Sequence, residues 1–73
     1  MFDQRKHEAL GEWREFITHP QIRMTAEEHY DELLQMADAM EREGVITGVE
    51  WRQLIRDAGR MLARAREGLE GGT

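Results

Sequence analysis

Thr25-Ala26-Glu27-Glu28 and Thr47-Gly48-Val49-Glu50 decide the fold of this 73-residue chain. Each is a Thr-x-x-Glu placed just ahead of an apolar stripe, the pattern of a capping box. The Thr hydroxyl accepts from the N–H of the third helical residue. The Glu carboxylate reaches back to the Thr N–H. These two helix starts, with helical periodicity ahead of the first, divide the chain into three helices.

Working outward, the second helix is expected from Thr25 to about Glu43. Its stripe is Tyr30, Leu33, Leu34, Ala37 and Met40, and Gly44 is placed to end it in a left-handed conformation. The third helix is expected over about residues 47–67. Ile46 before the cap and Trp51 at the fourth helical position have the spacing of a hydrophobic staple. Val49, Trp51, Leu54, Ile55, Ala58, Met61, Leu62, Ala65 and Leu69 form the stripe. Gly68 is expected to stop the helix and leave 68–73 as a frayed tail.

Upstream, Phe2, Ala9, Leu10, Trp13, Phe16 and Ile17 recur at spacings of three and four, which predicts a first helix over about residues 3–17. Asp3 suits its N-cap. His19-Pro20 closes it, because a residue before proline is pushed out of the helical region. Residues 18–24 connect, with Ile22 and Met24 turned inward. The expected fold is all-α: one domain over 1–73, helices 2 and 3 as an antiparallel αα-hairpin, helix 1 packed across them. A chain this short has one small core, and without cysteine it cannot be reinforced by disulfides or thiolate-bound zinc.

Charge is unevenly spread. The net charge is −5. Residues 25–43 hold seven acids against Arg42 alone, whereas residues 44–73 hold five Arg against four acids. An acidic chain is not suited to binding nucleic acid through its overall charge. No apolar run approaches a membrane span, and the N-terminus lacks the apolar core of a signal peptide, so a cytoplasmic location is expected.

The catalytic inventory is thin. There is no Cys and no Ser, and two of the four Thr are helix caps. His7, His19 and His29 form no His-x-x-x-His pair and are expected at surface or boundary positions. Gly44-x-Ile46-x-x-x-Glu50 resembles the second half of an EF-hand loop, but its first loop position would be Ala39, which offers no carboxylate. No catalytic, cofactor or metal residue is therefore assigned, and no enzyme activity is expected.

Two charged faces remain. Arg52, Arg56, Arg60 and Arg64 stand four apart. They sweep roughly 100° to 220° around the third helix from Trp51, on the side away from its apolar stripe. Asp57 can reach Arg60, and Glu67 can reach Arg64. The alternative face is acidic, with Glu28 and Glu32 on the second helix. The expected function is that of a small non-catalytic regulator or inhibitor binding another protein through helix faces, of the kind carried by phages or plasmids. A homodimer is also expected, with Trp13, Phe16 and Ile17 as its contact, because a small core leaves apolar surface over. The alternative is a DNA-binding regulator. Helix 2, the Gly-containing link and helix 3 have a helix-turn-helix outline, and Arg52, Arg56 and Arg60 would be its contacts.

Overall fold

A computed structural model describes residues 3–20 and 23–70, with side chains described as far as residue 67. It contains three helices and, among the described residues, no strand: α1 (Gln4–Thr18), α2 (Ala26–Arg42) and α3 (Gly48–Glu70). The all-α fold and the α2–α3 hairpin are as the sequence predicts.

Both capping boxes form in full. Glu28 N–H donates to Thr25 Oγ1 at 3.1 Å, and Thr25 N–H donates to Glu28 Oε1 at 3.1 Å. At α3 the matching bonds are 3.2 Å to Thr47 Oγ1 and 2.8 Å to Glu50 Oε1. Asp3 caps α1 by accepting from Lys6 N–H. Gly44 adopts φ 76°, and two bonds close the end of α2 around it. Val45 N–H donates to the Met40 carbonyl at 2.8 Å, and Gly44 N–H to the Glu41 carbonyl at 3.1 Å. This is a Schellman ending. It reverses the chain within the few residues available before Thr47.

One predicted boundary needs correction. α3 continues through Gly68 to Glu70, so residues 68–70 are helix and not a frayed tail. Glycine costs a helix interior about 1 kcal/mol. It ends a helix only where the backbone turns left-handed, as Gly44 does. The good helix formers around Gly68 carry the turn through. The expectations for Phe2, Ile22, the Leu69 side chain and residues 71–73 lie outside the described residues.

The core consists of Trp13, Leu33, Ala37, Met40, Ile46, Leu54 and Ala58. Two stripes meet in it, Leu33-Ala37-Met40 from α2 and Leu54-Ala58 from α3, with Trp13 inserted from α1. Trp13 is 1% exposed. Its Nε1–H donates to the Leu33 carbonyl at 3.0 Å, so its one polar atom is satisfied inside. Trp51 packs against this cluster but is only half-buried, and its Nε1–H donates outward to Asp38 at 2.7 Å. Trp13 is thus the enclosed tryptophan of the two.

His29 departs from its expected surface or boundary position. It is 3% exposed and lies four residues before Leu33, on the inward face of α2. Its Nε2 lies 2.8 Å from the Phe16 carbonyl, near the C-terminus of α1. A carbonyl only accepts, so Nε2 carries the proton. Phe16 also meets the imidazole edge-to-face at 4.8 Å and 84°. Carbonyls in the last turn of a helix lack intrahelical donors. His29 supplies one from the neighbouring helix, which makes an inward histidine compatible with the core.

α2 is the central helix. It packs extensively against α3 and also against α1, whereas α1 and α3 touch only marginally. The chain measures 50 × 23 × 18 Å, with a radius of gyration of 13.4 Å. A compact domain of this length would have about 11 Å. The difference goes with the 23-residue α3, the longest of the three helices.

Candidate interaction surface

Arg52, Arg56, Arg60 and Arg64 are all exposed on α3. Core positions Leu54 and Ala58 fix the inner face. Arg64 turns to the flank that faces Ile17 and Thr18 of α1, and Arg52, Arg56 and Arg60 fall on the opposite arc. Between them lies a shallow trough of ≈ 300 Å³, lined by Val49, Arg52, Gln53, Arg56, Asp57 and Arg60. Val49 lies at its end, 75% exposed, on the arginine side of α3 and off the inward stripe to which its apolar side chain assigns it in the sequence. A small apolar contact therefore adjoins a basic row.

These four arginines form no hydrogen bond or ion pair through their side chains among the described residues. The expected approaches of Asp57 to Arg60 and Glu67 to Arg64 are not made within ion-pair distance. Exposed pairs of this kind gain about 0.3–0.5 kcal/mol, which barely offsets the side-chain freedom they cost. Arg14, Arg23 and Arg42 likewise form no ion pair among the described residues, while three other cations are engaged. Lys6 bridges α1 to Glu50 at the start of α3, Arg5 meets Glu43 at 3.4 Å, and Arg66 meets Glu27 at 3.8 Å. The row on α3 thus carries four arginines with Asp57 among them and no ion pair formed within it.

The acidic face is less uniform. Glu28 is held in the Thr25 capping box. The Thr25 backbone N–H, and then its hydroxyl, keep the Glu28 carboxyl below the usual glutamate value. Glu28 therefore already has structural work. Glu32 is exposed, and so is Asp31 beside it. Glu50 is also a cap. The Lys6 ammonium, followed by the Thr47 N–H, keeps its carboxyl low.

The proposed dimer contact changes more. Trp13 is enclosed in the core and offers no surface, which removes it from any contact between copies. Phe16 is half-buried against His29. Ile17 is half-buried at the edge of an open depression shared with α3. Periodicity placed all three on one stripe of α1, and packing divides them by depth. The depression itself had no signal in the sequence, because it arises from how little α1 leans on α3.

Among the described residues, no group of three His, Cys, Asp or Glu side chains is arranged to hold a metal ion. None of the described helices is long and apolar enough to cross a membrane. The chain matches no protein-family model, no curated protein and no solved structure.

Proposed function

We propose that this chain is a small non-catalytic regulatory or inhibitory protein that binds another protein through the outer face of α3. One observation carries the reading. Arg52, Arg56, Arg60 and Arg64 stand four apart along one helix, exposed and without ion-pair partners among the described residues; Arg14, Arg23 and Arg42 are also unpaired but belong to no such row. An unneutralised row suits an acidic partner surface, and arginine is enriched among residues that dominate binding energy. Val49 supplies an adjoining apolar contact. Of the two charged faces, this one is favoured because Glu28 is committed to a helix cap.

The test begins with the partner recovered from the native host on immobilised protein. Its affinity is then measured for Arg56→Gln/Arg60→Gln and for Asp31→Asn/Glu32→Gln. The arginine pair is expected to weaken binding about tenfold, or about 1.4 kcal/mol, without moving the melting temperature. The acidic pair is expected to leave affinity intact. Equal affinity for all three proteins would sink the proposal. Recovery of DNA in place of protein would favour the DNA-binding alternative.

A further inference from the structure

The marginal contact between α1 and α3 leaves a seam along the side of the molecule. The Lys6–Glu50 bridge lies at one end of it, and Ile17 approaches Met61 toward the other, so the two helices run in the same direction. Two open depressions follow one another along this line. The first, ≈ 190 Å³, is lined by Leu10, Arg14, Glu50, Gln53 and Leu54. The second, ≈ 440 Å³, is lined by Ile17, Thr18, Asp57, Arg60, Met61 and Arg64. The floor is apolar, from Leu10, Leu54, Ile17 and Met61. Arg14, Arg60 and Arg64 stand exposed along the edges, and none forms an ion pair among the described residues.

Resting on the protein-binding role proposed above but moving its contact from the outer ridge to the flank of α3, we propose that this seam is the docking groove for an amphipathic helix with acidic flanks, contributed by a different protein. From Gln53 to Arg64 the groove spans about 16 Å, or about three turns of helix. A groove between two helices accepts the ridge of a third, read by apolar anchors three and four residues apart. The apolar floor calls for such anchors, and the arginine edges call for carboxylates beside them. Glu50 does not oppose this, because Lys6 and the Thr47 cap hold its carboxylate. Asp57 is the one unengaged carboxylate against three arginines. A second copy of this chain is a poor occupant. Its acidic helix, α2, has Leu33, Ala37 and Met40 buried and Tyr30, Leu34 and Met36 packed against its own core, so its anchors are already engaged.

The probe is a displayed library of random 16-residue peptides selected on the intact protein. The expected winners carry apolar residues at i, i+3 or i+4, and i+7, flanked by Asp or Glu. The best peptide is synthesised and titrated by fluorescence anisotropy. Arg14→Gln/Arg64→Gln, on the groove edges, is expected to weaken it at least tenfold. Arg52→Gln/Arg56→Gln, on the outer ridge, is expected to change it less than twofold. Both variants should melt like the parent, because the altered charges are exposed. If the ridge pair weakens the peptide and the edge pair does not, the groove is refuted and the outer-face reading stands. If neither does, both are refuted. No enrichment, or enrichment of basic peptides, also refutes the groove. So does displacement of the peptide by a 20-base-pair duplex that is blocked by the ridge substitutions alone.

Discussion

Replacing Trp13 with Phe tests the core directly, because the two tryptophans are assigned different depths. Two losses are expected at Trp13. The indole N–H bond to the Leu33 carbonyl disappears, at about 1 kcal/mol. The carbonyl lies inside α2 and keeps its place in the helix ladder, so no larger penalty for an orphaned acceptor applies. The benzyl group is also smaller by roughly 40 Å³, and at about 24 cal/mol per Å³ of unfilled core this adds about 1 kcal/mol. The sum, about 2 kcal/mol, should lower the melting temperature by roughly 10 °C in a domain of this size. The same change at Trp51 removes only a solvent-exposed bond to Asp38 and leaves a space open to water, so the expected cost stays below about 1 kcal/mol. Urea unfolding followed by circular dichroism measures both. Each variant also keeps one tryptophan as a fluorescence probe. The tryptophan left in Trp51→Phe should emit at the shorter wavelength, because Trp13 is enclosed. If Trp51→Phe costs as much as Trp13→Phe, the arrangement of the core is wrong.

Further outcomes are expected from the helix ends. Thr25→Ala and Thr47→Ala should each destabilise by about 1 kcal/mol in urea melts. Glu28 and Glu50 have folded-state carboxyls held below the ordinary value of 4.5, so their contribution is present above that pH. It is lost as pH falls through the lower folded-state value. The urea midpoint of the parent should therefore drop on acidification below 4.5. In Glu28→Gln/Glu50→Gln that drop should be shallower. Gly44→Ala should cost about 1–2 kcal/mol, since φ is 76° and the open space around it leaves only backbone strain. Gly11→Ala, inside α1 with equally open surroundings, should stabilise by about 0.5–1 kcal/mol in the same assay.

The parts of the fold legible in the sequence were those with local causes. Thr25, Thr47 and Gly44 act on backbone groups within a few residues, so their spacing alone placed two helix starts and one end. Gly68 was misread because a glycine's permissiveness matters only where the chain has reason to turn. The depths of Trp13 and Trp51 were not legible either. Both lie on apolar stripes, and which one is enclosed depends on how far α1 tilts over α2. His29 reads as polar until its partner, the Phe16 carbonyl of another helix, is in place. The Arg row was legible as spacing, and its isolation was not, because it depends on side chains settling apart from Asp57 and Glu67. The seam between α1 and α3 has no sequence signal, since it is a contact that two helices fail to make.

The separation of charge between α2 and α3 changes how the molecule meets its surroundings. At distances well beyond the Debye length, about 8 Å at physiological ionic strength, a visitor feels little of either face. Closer in, it meets one helix at a time: α2 holds six acids against Arg42, whereas α3 holds five Arg against four acids. The orientation of approach then selects the sign of the interaction. If the proposed acidic partner binds at the arginine row, repulsion on the α2 side and attraction at that row would sort its collisions by angle before any side chain is read.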